Sequence, residues 1–157
     1  MTPPPIYADA GTPALPLHLL DREGYAAWRA AHPAAAAWLE AQGFQPTPGT
    51  LALLPDGSAL AGAVCGIGDA LDPCSYAHAP MALPPGAWAP AGELSAEALA
   101  ALQLGWGLGS YRFDRYKAAP RAPAQLRLAQ LDPEALDLLL ATMRVRDWVN
   151  TPSQDMG

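Results

Sequence analysis

The apolar positions of the chain fall into short periodic blocks separated by proline and glycine. Leu15-Pro16-Leu17-His18-Leu19-Leu20 alternates apolar with other residues and predicts a short strand. Asp21 is placed to cap a helix carrying Tyr25 and Trp28, with Glu23 in its first turn. Pro33 opens a second helix, whose buried face is expected to hold Trp38 and Leu39. Gly43 supplies the left-handed residue that ends it. Two apolar runs, 50–54 and 58–65, flank Pro55-Asp56-Gly57 and predict a hairpin, because glycine tolerates the positive φ of the turn.

Residues 66–92 contain five prolines that break any long element, leaving a weakly marked strand at Ala87-Trp88-Ala89. Ser95 caps the next helix, with Leu94 and Leu99 at the positions of a hydrophobic staple and Leu99, Leu102 and Trp106 at helical spacing. A strand at 125–129 precedes a last helix, which Asp132 caps, Pro133 opens and Asn150-Thr151-Pro152 stops. A hairpin followed by helices between strands predicts an α/β or α+β class with a mixed sheet flanked by helices.

That last helix carries two apolar stripes. Leu136, Leu139, Leu140 and Met143 recur at i, i+3, i+4, i+7 and suffice to pack it on its own domain. Leu138, Val145, Trp148 and Val149 lie on another side and suggest a helix clamped between two bodies. The simpler alternative is a helix buried on both sides within one core.

Composition narrows the function. The chain has 157 residues, 51% apolar and 15% charged, which suits one globular domain with a real core. Nine basic against fifteen acidic residues give a net charge of −6, which argues against phosphate-backbone binding and against a polybasic membrane anchor. No apolar run reaches the roughly 18 residues of a membrane span, and the start, Met1-Thr2-Pro3-Pro4-Pro5, lacks the pattern of a signal peptide. A cytoplasmic location follows as the expectation.

Candidate chemistry is sparse. Cys65 and Cys74 are read as reduced structural thiols; His78 is the one histidine near them in sequence, but no metal spacing links the three. The acids fall singly, and the motifs of metallopeptidases and nucleophile elbows do not occur. Gly66-Ile67-Gly68-Asp69 follows a strand and is a weak candidate for an anion-binding loop. Gly105 and Gly109 lie on one helix face, where missing side chains allow close helix-on-sheet packing. Residues 110–117 mix three aromatics with charges; as structure, the rings lock the helix end to the sheet and Asp114 neutralises neighbouring arginines. The alternative for this segment is a nucleic-acid stacking patch. No residue is assigned as catalytic, cofactor-binding or metal-ligating.

Leu108-Gly109-Ser110-Tyr111-Arg112-Phe113-Asp114-Arg115-Tyr116-Lys117 resembles the helix end in the amino-terminal domain of leucyl aminopeptidases, also called cytosol aminopeptidases. Arg146-Asp147-Trp148-Val149-Asn150-Thr151-Pro152 and the residues to Gly157 resemble that family's junction with its catalytic domain. The resemblance runs from about Gly43 onward. It implies a macro-domain-like amino-terminal fold attached to a metal-dependent exopeptidase that removes N-terminal residues from peptides. It further implies two divalent ions, zinc or manganese, in the carboxy-terminal domain, and a homo-oligomer, a hexamer at full length. The family's metal motifs lie beyond Asn-Thr-Pro, so no catalytic residue carries over and the chain alone is expected to be inactive.

The expected organisation is therefore a flexible Pro-rich start at 1–11, an α/β domain at 12–130, and at 131–157 a linker helix leading toward a catalytic domain. The implied role is subunit contact or active-site access, with peptide substrates reaching the protein only through that other domain. The runner-up is a stand-alone macro-like module that binds a small molecule such as ADP-ribose near Gly66–Asp69. Neither nucleic acid nor membrane is an expected partner.

Overall fold

The computed structural model describes residues 5–116 and 121–155. Six strands form one sheet: β1 (Tyr7–Ala8), β2 (Leu15–Leu20), β3 (Leu51–Asp56), β4 (Ala59–Gly66), β5 (Ala87–Pro90) and β6 (Gln125–Arg127). Their spatial order is β1-β6-β5-β2-β4-β3. Every neighbouring pair is parallel except the β3–β4 hairpin. Gly57, at φ 57°, makes the turn of that hairpin as its sequence predicts.

Helices cover both faces. On one side lie α1 (Arg22–Ala31) and α2 (Pro33–Ala41), packed through Tyr25, Trp28, Ala36 and Leu39 on Ala52, Leu54 and Val64. On the other lie α3 (Ala79–Ala82), α4 (Ala96–Ser110) and α5 (Pro133–Asn150), over Leu17, Ala63, Cys65, Trp88 and Leu126. The period-two alternation of β4 explains the split, since Ala63 and Cys65 face one layer and Val64 the other. The predicted α/β class with a mixed sheet flanked by helices is what the chain adopts.

Caps fix the helix starts. Asp21, Ser95 and Asp132 each accept a hydrogen bond from a backbone N–H three residues on. Gly43, at φ 68°, follows α2 as expected. Leu136, Leu139 and Met143 of the first α5 stripe pack on the core, with Leu139 fully buried; Leu140 is only partly buried and stays outside that cluster.

Three expectations change. The Pro-rich start contributes a strand: Tyr7 and Ala8 pair with Leu126 and Arg127, and Ile6 and Tyr7 are buried. Trp38 is not on the buried face of α2; it is 46% exposed and donates its indole N–H to the Leu53 carbonyl at 3.2 Å, while Ala36 and Leu39 form that face. In helical phase Trp38 is about 100° from Leu39, and an alanine-rich helix has little else to set its orientation. The last strand is shorter than predicted, ending at Arg127.

Candidate functional site

Cys65, on β4, is buried and meets His78 just before α3, with Sγ 3.0 Å from Nε2. Burial pushes the thiol up to about 12. Burial also lowers the imidazole, partly offset by a hydrogen bond to the Thr50 backbone. Both shifts favour neutral partners, a state in which a thiol can donate S–H to a ring nitrogen that carries no proton. This is the opposite of a reactive thiolate–imidazolium pair. Cys74 is exposed and lies outside the contact. Among the described residues no three His, Cys, Asp or Glu side chains come together in a group that fits a metal ion.

The Gly66–Asp69 loop is filled by the protein itself. Gly66 donates to the Thr50 carbonyl and Ile67 to the Leu20 carbonyl. A Cβ on Gly66 would fall 2.2 Å from the Thr47 carbonyl oxygen, and Gly68 backs onto Pro48 and Ser75. Asp69 accepts from Leu71 N–H, and its carbonyl accepts from the Ser75 hydroxyl. Glycine is required at 66 because another backbone passes there. The geometry offers no support for an anion loop at this place.

Gly105 and Gly109 do permit close packing, but not on the sheet. They face the backbone of 73–77: a Cβ on each would lie 2.0 Å from the Pro73 carbonyl oxygen and 1.9 Å from that of Ala77. Gly107 faces the Leu139 side chain of α5. The aromatics after α4 also choose another partner. Tyr111 donates to Asp147 Oδ1 at 2.8 Å and accepts from Asn150 Nδ2 at 3.2 Å, while Tyr116 bonds Asp155. They tie the end of α4 to α5 and its exit. Asp114 pairs with no arginine among the described residues; Lys117 lies outside them.

The second stripe of α5 is uncovered. Leu138, Val145, Trp148 and Val149 are all exposed, Trp148 at 62% and Val149 at 78%. No helix among the described residues is long and apolar enough to cross a membrane.

Fold and side-chain clusters define a class: a mixed-sheet α/β domain whose polar contacts hold its own elements together, ending in a helix with one packed and one bare face. A family model for the N-terminal domain of M17 aminopeptidases matches residues 15–129. The chain belongs to that family, as its N-terminal domain. It is similar to a cytosol aminopeptidase from Coxiella burnetii, with TM-score 0.81 and 25% identity over 97% of this chain and 35% of that one. The bottromycin maturation enzyme BotP, in complex with Mn, shares the fold at TM-score 0.61 and 23% identity over 88% of this chain and 32% of that one. Tomato leucine aminopeptidase does so at TM-score 0.58 and 15% identity over 98% and 40%. The chain thus spans about a third of the length of these relatives. No curated protein sequence matches it.

Proposed function

We propose that this chain serves as the non-catalytic amino-terminal part of a leucyl-type metalloaminopeptidase, where it carries subunit contacts or shapes access to the active site. The observation that supports this is the bare face of α5. Leu138, Val145, Trp148 and Val149 form an apolar strip that leads straight to Asn150-Thr151-Pro152, beyond the residues that the family model matches. Strips of this kind on a soluble domain are ordinarily covered. In this reading residues 12–130 are the domain and 131–157 the linker to a catalytic domain. That domain would hold two divalent ions, zinc or manganese, which supply water activation and carbonyl polarisation when bound. A cytoplasmic hexamer acting on peptides is the assembly proposed.

The test is the encoded polypeptide together with whatever follows Gly157. It should hydrolyse leucine p-nitroanilide when manganese or zinc is supplied, whereas residues 1–157 at matched concentration should not. A longer polypeptide inactive with both metals would overturn the reading. So would turnover that stays with residues 1–157 through repurification.

A further inference from the structure

The uncovered face of α5 has an internal order that exposure alone does not require. Leu138, Ala141, Val145 and Trp148 follow one another at steps of three, four and three residues, the spacing of a seam between two helices. All four are exposed, and Val149 widens the seam at its far end. Ala141 sits in the middle, where a small side chain lets two helix axes come close.

Charge is arranged along the same face. Asp137 and Arg144 are two turns apart and so share one flank of the seam, Asp137 before its centre and Arg144 after it. Both are exposed, and neither makes an ion pair among the described residues. The next two charges along the helix are engaged toward α4: Arg146 lies over the Tyr111 ring at 5.3 Å, and Asp147 accepts from the Tyr111 hydroxyl.

A two-fold axis through Ala141, perpendicular to α5, turns this face onto itself. The second helix then runs antiparallel, and each flank meets the same flank of the other. Asp137 comes opposite Arg144 of the second copy, Arg144 opposite its Asp137, and Leu138 beside its Val145. A parallel pairing would set aspartate on aspartate and arginine on arginine.

We propose that α5 docks on α5 of a second copy of this chain, antiparallel about a two-fold axis at Ala141. The inference rests on the reading that this face carries subunit contacts, and it names which element of the other subunit is met. A face made only for a different body has no need to complement itself in spacing and in charge; this one does both.

Sedimentation of the 157-residue chain is expected to show a monomer–dimer equilibrium, with a dissociation constant of about 10–500 µM. The contact is isologous, so one substitution changes two pairs. Asp137→Arg sets arginine against arginine twice, and Arg144→Asp sets aspartate against aspartate twice. Each should dimerise about tenfold more weakly while unfolding at the parent's temperature. An equimolar mixture of the two variants should recover the parent's affinity as a heterodimer, because every pair is again of opposite sign. A parent that stays monomeric to about 1 mM overturns the proposal and leaves the strip to another body, such as the catalytic domain. Single variants that dimerise like the parent overturn it, as does a mixture no tighter than its components. Peptide turnover plays no part in these readouts, so they decide this contact apart from the catalytic reading.

Discussion

Gln103 and Asp132 exchange two hydrogen bonds across the seam between α4 and α5, each 2.8 Å long. The Gln103 side-chain amide donates to the Asp132 carbonyl and accepts from the Asp132 N–H. The Gln103 backbone carbonyl accepts from the Tyr7 hydroxyl at 2.7 Å, so a single buried residue connects α4, the start of α5 and the edge strand β1. Asp132 is also the cap of α5, through Ala135 N–H. The position of the last helix is set at this point.

Gln103→Leu keeps the volume but leaves the Asp132 backbone groups without their partners. We expect a loss of about 1–3 kcal/mol in chemical denaturation, the penalty for unsatisfied buried polar groups. Asp132→Ala, which removes only the cap, should lose about 1 kcal/mol. If Gln103→Leu is as stable as the parent, the seam is held by packing alone.

The glycines of α4 give a second test. Alanine in a helix interior is favoured over glycine by about 1 kcal/mol. At 105 and 109 that gain is outweighed, because the added Cβ would meet a backbone carbonyl at 2.0 Å and 1.9 Å. Gly105→Ala and Gly109→Ala should each lose about 1–3 kcal/mol through forced backbone shifts. Gly107→Ala should lose less, since what it meets is the far end of Leu139. A Gly105→Ala protein more stable than the parent in equilibrium unfolding would show that α4 does not rest on 73–77.

These two cases mark what local pattern conveys. The spacing of Leu99, Leu102 and Trp106, the Asp56-Gly57 turn and the caps at Asp21, Ser95 and Asp132 state their elements within a few residues. The sheet class follows from them. By contrast, β1 is two residues long and exists because Leu126 and Arg127, more than a hundred positions later, pair with it. No local period announces such a strand. The glycine spacing in α4 correctly signals close approach, but which backbone approaches is a tertiary fact. Cys65 and His78 meet from a strand and a loop thirteen residues apart, a spacing that belongs to no motif.

Stability should have a plateau with two falling limbs. His78 and His18 lie below the ordinary imidazole value of 6.5, chiefly through burial, with the charge of His32 adding to the effect on His18. The unfolded chain then takes up protons first as pH drops below 6.5, so stability present above that value is lost as pH falls toward the folded values. Burial raises Cys65 from 9.0 to about 12, and Tyr7 and Tyr76 from 10.0 upward. The unfolded chain loses these protons first, so stability declines as pH rises above 9.0, first through Cys65. Urea midpoints across pH check both limbs. Cys65→Ala should delay the alkaline decline to the tyrosine range, whatever its effect on the plateau. A flat profile from about pH 5 to about pH 10 would contradict the buried neutral pair.

The last prediction separates the two faces of α5. Leu139 is fully buried between α4 and the sheet, so Leu139→Ala should lose about 2–5 kcal/mol. Trp148 and Val149 make no such contacts, and the double change to serine should alter stability by no more than about 0.5 kcal/mol. Its effect should appear in association. An apolar strip left bare favours contact between copies, and a two-fold arrangement that lays one strip on another is the simplest way to cover it. Sedimentation of the 157-residue chain at rising concentration should show self-association that Trp148→Ser with Val149→Ser reduces. A stability loss comparable to that of Leu139→Ala would mean the strip is covered within its own chain. In that case the helix is ordinary core, and the second stripe gives no reason to place another body against it.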